Sequence, residues 1–428
     1  MTRTLILALL LSYGIATAGD EIPGSPQRQP IFLKNATIHT VANGTQANTN
    51  LLFDAGRIVA ISDTLRAPAN ARVIDCTGMH VYPGFIAPVT TLGLTEIDAV
   101  RATRDMAEIG SVNPNVRGET AYNPDSELIP TIRSNGILIA NVSPVGGLVS
   151  GMSSLMRLDG WTREDIAIRS RSALVINWPS MDVDRSPWNR TPPEEQRSAS
   201  TKAIKQIYDL FYAARAYSTL TAAGDTTKHD IKLDAVRKVL ADSIPVMIHA
   251  ETTRQIEAAI EFKRTFGIRI ILVGASEGRF LTELLQREQV PLIINRVHGL
   301  PTRDEDPFDH AFTLPAVLSS ARIPFAFSDD GAWQQRNLAY HAGTAIAFGL
   351  SEAEAERALS LYPARMFGID RDYGSLEVGK SATLFVSTGV ALDAKSAIVR
   401  HAFIDGRDVD LSNRHVKLTK KYRERFAR

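Results

Sequence analysis

Cysteine is nearly missing from this chain: Cys76 stands alone among 428 residues, so no intramolecular disulfide can form. It lies in the apolar, strand-like run 72–76, which suits a buried structural thiol better than a nucleophile. Charge of one sign is missing too. Forty-eight basic residues against forty-seven acidic leave a net charge of +1, which excludes a global field for gathering nucleic acid or an anionic membrane. There is no internal repeat and no low-complexity tract. A Gly-x-Ser-x-Gly elbow is absent, and the glycine-containing stretch 144–151 lacks the Gly-Lys-Ser/Thr ending of a phosphate-binding loop. That stretch can still be expected to present backbone N–H groups to an anionic or carbonyl oxygen.

The apolar run at the start, 5–15, is shorter than the roughly 20 residues that a transmembrane helix needs. Arg3 before it and Ala16-Thr17-Ala18 after it give the positive start and small-x-small end of an export signal, expected to be cleaved after residue 18. The mature protein is therefore expected in the periplasm or secreted, without a lipid anchor, since no cysteine stands near the cleavage point. The expected partner is a small-molecule substrate, with no nucleic acid and no membrane after cleavage; a homo-oligomer is compatible.

What is present has two grammars. Short β-rich runs at 36–41, 51–54, 57–62 and 72–76 read as sheet without helices, with a hairpin turn at Asp54-Ala55-Gly56-Arg57. After Gly84, apolar runs at 136–142, 174–178, 245–249, 269–273, 290–295 and 324–328 alternate with helical segments at 202–220, 233–240, 252–265, 277–287 and 314–320. Strands buried on both faces and separated by helices predict β/α units around a parallel sheet. After Asp370 the β-rich grammar returns at 382–387 and 398–404. The proline-rich segment 179–200 is long for a connection and suits a lid. The tail 414–428 is basic and reads as a solvated terminal helix.

Several segments resemble a known family. Residues 82–92, Tyr-Pro-Gly-Phe-Ile-Ala-Pro-Val-Thr-Thr-Leu, are similar to the first metal-binding strand of the amidohydrolase superfamily, in its imidazolonepropionase-like branch. Pro83, Gly84, Ile86, Leu92 and Gly93 agree with that pattern, whereas Ala87 replaces its aspartate and Val89 and Thr91 replace its two histidines. Residues 374–386 resemble the superfamily's return segment, with Thr383 where aspartate is usual. Tyr362-Pro363-Ala364-Arg365 with Gly368-Ile369 resembles a helix end, and 403–407 a last strand and turn. The resemblance implies an α/β fold: a (β/α)8 TIM-like barrel over 81–369, and a small composite β-sandwich domain formed by both chain ends, 30–80 and 370–413.

It also implies a hydrolase for a non-peptide C–N bond, an amide or cyclic amide, using a water activated by a divalent metal, zinc by preference. Catalytic groups of such barrels sit at the C-terminal ends of the strands. His249, ending Pro245-Val-Met-Ile-His249, matches the family's third metal histidine, and alternation would turn Glu251 to the same side. After the run 324–328 comes Asp329-Asp330-Gly331. Asp330 matches the aspartate that binds metal or takes a proton from the attacking water, with Asp329 one step away; a turn capping the next helix is the competing reading. Gly274 stands where many relatives carry a fourth histidine, and Glu277 reads as a helix-start acid. A catalytic zinc generally keeps three protein ligands. A third would have to come from Glu251, His298, His310 or the second aspartate. His341 reads as a packed helix histidine. With Val89, Thr91 and Gly274 contributing no ligand, a second expectation is a catalytically degenerate barrel that binds a ligand or partner; a metal-free acid–base hydrolase ranks third.

Overall fold

A computed structural model describes residues 22–224, 229–241, 244–301, 303, 305–329 and 331–427. The expected export signal, 1–18, and Asp330 lie outside the described residues. No helix among those described is long and apolar enough to cross a membrane.

The chain ends build one sheet together. Strands β1 (Ile31–His39), β2 (Thr45–Asp54), β3 (Arg57–Ser62), β4 (Arg72–Asp75) and β5 (His80–Pro83) come from the N-terminal side. Completing the sheet from the C-terminal side are β14 (Leu384–Ser387), β15 (Val399–Ile404) and β16 (Arg407–Asp408). The strand order is β16-β15-β14-β5-β1-β2-β3, with β4 also paired to β1. The hairpin expected at 54–57 is present: Ala55 (φ 47°) and Gly56 (φ 77°) both take the left-handed conformation that a two-residue turn demands. Leu33, Ile38, Phe53, Val81, Leu384 and Phe403 are among the residues of its core, and Cys76 is buried with them. Burial in this apolar setting pushes the Cys76 thiol up to about 12, which makes it inert as a nucleophile at neutral pH.

The second sheet is the barrel. Its strands are β6 (Phe85–Thr90), β7 (Ile137–Val142), β8 (Val149–Arg157), β9 (Ala167–Asn177), β10 (Val246–Ala250), β11 (Ile270–Gly274), β12 (Leu292–Ile294) and β13 (Phe325–Phe327), hydrogen-bonded in sequence order. The eight-stranded barrel expected from the sequence is present, with one difference in its wiring. β8 runs antiparallel to both β7 and β9, so this part is a meander without crossover helices. The glycine stretch 144–151 forms the β7–β8 connection and the start of β8. Val145, Leu148 and Val149 spend their N–H groups on the carbonyls of Met106 and Ser111, so these three donors do not face a ligand.

Alternation along the strands sorts the core into two layers. Ile86, Ile139, Leu155, Val175, Met247, Ile271, Ile293 and Ala326, one from each barrel strand, pack together in the lumen. Their neighbours on the opposite face, such as Leu138, Leu174, Val246, Leu272, Leu292 and Phe325, pack with the surrounding helices. Ala364, Met366, Phe367, Ile369 and Tyr373, on and after the Leu361–Met366 helix, join the lumen cluster, and that helix lies beside Pro245 and Ile270 at the strands' N-terminal ends. Side chains tie the first strand to the segment after the last. Ser328 Oγ and Gln335 Nε2 donate to the Val89 carbonyl at 3.2 and 2.9 Å, and Thr90 Oγ1 donates to the Gly331 carbonyl at 3.0 Å.

A buried ion network joins barrel to sheet. Asp159, just beyond β8, faces Arg133 Nη1 at 3.3 Å and Arg407 Nη1, on β16, at 3.5 Å. The Arg133 and Asp159 side chains are only 5% and 1% exposed, so neither has water to fall back on. Asp159→Ala should take a buried carboxylate from between the Arg133 and Arg407 guanidinium groups and cost about 3 kcal/mol, read as a lower urea midpoint at unchanged denaturant slope. A midpoint equal to that of the unmodified protein would show that the network does not hold the two sheets together.

Candidate active site at the barrel mouth

The lumen layer is apolar apart from Asn141, which reaches the Pro88 carbonyl and Met247 Sδ, and its N-terminal end carries the Leu361–Met366 helix, so the opposite mouth is where the strand ends can present chemistry. Met247 belongs to the lumen cluster, and alternation turns His249, two residues on, to the same side. In the parallel register His249 pairs with Asn177 of β9 and Val273 of β11, so Asn177, His249 and Val273 form one tier. Among the described residues no hydrogen bond to the His249 ring is found. The ring edge is partly exposed, yet protein surrounds the rest, and desolvation pushes its pKa down to about 4. The imidazole is therefore neutral at neutral pH, the state that can accept a proton or a metal ion.

Glu251 follows the strand, and the helix after it explains its position. Thr252 caps the Thr253–Phe266 helix through a capping box with Gln255, and Gln255 Oε1 accepts from the backbone N–H of Glu251 at 2.9 Å. Gln255 Nε2 reaches the carbonyls of Trp178 and Pro179 at 3.2 Å, tying the ends of β9 and β10. The Glu251 carboxylate crosses over the end of β11. It accepts from Asn295 Nδ2, beyond β12, at 2.9 Å and from the Ser276 N–H at 3.2 Å. Gly274 makes this crossing possible. A Cβ at that position would lie 2.5 Å from Glu251 Cδ and closer still to Oε1, and the residue's φ of +91° also favours glycine. The carboxylate thus occupies the space where the family resemblance places a fourth histidine.

The other sequence candidates are placed elsewhere. Asp329 is buried, and its Oδ2 meets His341 Nε2 at 2.8 Å, on the Leu338–Ala347 helix, while its carbonyl accepts from Gln335 at 2.6 Å. Asp329, expected beside Asp330 as a catalytic aspartate, holds a helix histidine through its carboxylate. His341 is the packed helix residue expected. His298 is exposed; its ring accepts from or donates to Thr344 Oγ1 at 2.7 Å and lies 4.6 Å from the His341 ring. It joins the Asp329–His341 group, and burial together with His341 lowers its pKa. His310 is buried against the Ser276 carbonyl at 2.9 Å and Arg279 at 3.3 Å, a packing role. Glu277 accepts from the Thr253 N–H at 2.7 Å and pairs with Arg303. Val89 packs on the lumen cluster. Segment 179–192 runs as a loop, tied by Asp182 to Arg254 at 3.1 Å, and from Pro193 it is already helix.

Sequence reasoning missed Asn177, Asn295 and Asn141. Asn141 is fully buried and donates to the Pro88 carbonyl at 2.9 Å. Asn177 donates to Gly147 O at 2.8 Å and Ser150 Oγ at 3.0 Å. A signal existed, since Asn177 and Asn295 stand at or beside the ends of the apolar runs 174–178 and 290–295.

A metal ion held by three protein ligands does not fit the described residues at this mouth. His249 and Glu251 are two donors, and the one trio of His, Cys, Asp or Glu with ligand atoms close enough to share an ion among the described residues lies elsewhere, at His39, Glu352 and Glu356. Asp330 would have to supply the third and lies outside the described residues.

An eight-stranded barrel with its polar groups gathered at the strands' C-terminal ends, beside a small sheet from both chain termini, defines a class that comparison identifies. Residues 170–409 match the model of the amidohydrolase family, and the chain belongs to that family. Its fold is similar to that of an amidohydrolase from Thermotoga maritima MSB8, with a TM-score of 0.79 at 22% identity over 89% of this chain and 99% of that one. Molinate hydrolase is similar at a TM-score of 0.55 and 16% identity, over 91% of this chain and 96% of that one. A dihydroorotase from Geotalea daltonii (strain DSM 22248 / JCM 15807 / FRC-32) is 30% identical over 128 residues, which are 28% of this chain; the match spans 30% of that relative's length.

Two outcomes test this geometry. A histidine whose folded pKa is depressed contributes nothing to the pH dependence above its unfolded value of 6.5, because both states are then neutral. As pH falls from 6.5 towards about 4, the unfolded chain takes up a proton that the folded one refuses, so stability drops by about 3 kcal/mol. In His249→Gln this part of the decline should vanish, seen by urea unfolding at neutral pH and at about pH 4; curves of identical pH dependence would show that the ring is not desolvated. Gly274→Ala should cost about 1–3 kcal/mol, and less in a Glu251→Ala background where the overlap is relieved. Strictly additive costs would mean that the carboxylate does not occupy the Gly274 space.

Proposed function

We propose that the protein is an amidohydrolase-family hydrolase that cleaves the C–N bond of an amide or cyclic amide in a small molecule, at the C-terminal mouth of the barrel. The observation carrying this reading is His249, a neutral imidazole on the lumen side at the end of β10 in a chain of this family. Export to the periplasm or outside belongs to the same proposal and rests on the N-terminal sequence. The family resemblance implies a divalent metal, zinc by preference, that activates the attacking water. His249 and Asp330 are the positions matching its ligands, and His249 acts as a base only while its ring is not bound to that metal.

Proton handling can be traced to the chain's own groups. As water adds to the amide carbon, its proton passes to the His249 ring. The imidazolium so formed, with its depressed pKa, is a strong acid that returns the proton to the departing nitrogen, and the C–N bond breaks to leave a carboxylate and an amine. Glu251 is held by Asn295 and the Ser276 N–H, and the carboxamide of Asn177 stands on the same tier as His249.

A second reading is favoured by one specific observation: positions 89, 91 and 274 carry no metal-ligating side chain, and the Glu251 carboxylate fills the gap at 274. In that reading the mouth binds a small molecule without turning it over. Purified protein supplied with zinc and assayed on amides, lactams and cyclic imides separates the two. The hydrolase should turn over at least one of them, with His249→Ala lowering kcat/KM by about 100-fold or more. Saturable binding with no hydrolysis, or turnover indifferent to His249, would discard the catalytic reading.

A further inference from the structure

Away from the barrel mouth, where the small sheet meets the barrel's helical shell, two histidines and two glutamates converge. His39 closes β1, His80 opens β5, and Glu352 and Glu356 lie one turn apart on the Glu352–Leu359 helix. His39 Nδ1 is 2.5 Å from Glu356 Oε1, and both side chains are almost completely buried, at 3% and 4% exposed. The ligand atoms of His39, Glu352 and Glu356 all lie within 4.8 Å of one another. On its other side His39 Nε2 is 2.9 Å from His80 Nδ1, and the Tyr82 ring stacks on the imidazole at 4.0 Å.

Two like charges one helical turn apart repel, and a buried carboxylate needs a positive partner. Among the described residues no Lys or Arg ion pair to Glu352 or Glu356 is found; the ion pair found for Glu356 is with His39. The ring-to-ring contact adds a condition. One of the two imidazoles must donate to the other. When His39 donates through Nε2–H to His80, its Nδ1 lone pair faces two carboxylates. That arrangement calls for a cation at Nδ1, either a proton or a metal ion.

We propose that His39 Nδ1, Glu356 and Glu352 form a binding site for a divalent cation of the zinc type, with His80 accepting from His39 Nε2–H and fixing the ligand's tautomer. One imidazole nitrogen with two carboxylates suits a borderline ion such as zinc, and a water on the exposed Glu352 side completes four-coordination. Metal entry displaces the proton on Nδ1 to solvent. Ligand atoms of a tetrahedral zinc stand roughly 3.4 Å apart, so loading parts His39 Nδ1 and Glu356 Oε1 by about 1 Å from their hydrogen-bonded distance. Because His39 belongs to the sheet and the glutamates to the barrel shell, the ion staples the two. The site is independent of the barrel mouth and of any hydrolytic activity.

The test is calorimetric titration of ZnCl2 into the metal-stripped full chain, with thermal unfolding at each loading. The unmodified protein should bind zinc and gain in Tm as loading rises. Glu352→Gln, an exposed change that leaves the core untouched, should keep the metal-free Tm and weaken this zinc binding by about tenfold or more. His80→Ala should weaken it by about 10- to 100-fold through loss of the tautomer partner. His249→Ala should leave it in place. Absence of saturable zinc binding, equal binding in Glu352→Gln, or loss in His249→Ala alone would each overturn the site.

Discussion

Alternation around a nearly closed barrel of eight strands governs this structure. Each barrel strand turns every second side chain inward, and a ring of eight leaves room only for side chains, so Ile86, Met247, Ile293 and their counterparts fill the lumen. A residue two steps beyond that apolar layer necessarily emerges at the rim on the inner side. His249 stands there because Met247 is in the layer below, and the order of the strands makes Asn177 and Val273 its neighbours. With the Leu361–Met366 helix at the other end, one mouth remains for a substrate.

The composition of that mouth follows from a single exchange of volume. Glycine at 274 removes a side chain from the end of β11, and the carboxylate of Glu251 enters the space and reaches Asn295 beyond β12. Among the described residues, the polar groups at the rim are consequently one neutral imidazole, one anchored carboxylate and neutral carboxamides. A neutral, desolvated imidazole is a weak base, but its conjugate acid readily releases a proton. Next to the last strand, Asp329 anchors His341 on the helix that follows.

Barrel and sheet are held by polar contacts as well as by apolar ones. Asp159 is shared between arginines of the two parts, and His39 of the sheet meets Glu356 of the shell. Buried charges of this kind add little net stability relative to apolar packing, because desolvation offsets their attraction. What they add is dependence of one part on the other, since removing either partner strands the remaining charge. The two chain ends, far apart in sequence, thereby close into one sheet and lock onto the barrel between them.

The family resemblance implied the barrel and the sheet from both ends; the sequence by itself determined the two grammars, the 54–57 hairpin, the buried Cys76 and the emergence of His249 at a strand end. These depend on local periodicity and turn chemistry, which a chain carries in its residue order. Only the tertiary structure decided that β8 runs antiparallel, because apolar runs do not state their direction. It also decided that Asp329 pairs with His341, that Asn177 and Asn295 join the mouth, and that Glu251 fills the place above Gly274. The reason is geometric: which polar side chain meets which depends on the relative height of strands tens of residues apart, and a glycine in the sequence does not reveal whose atoms will use the room it leaves.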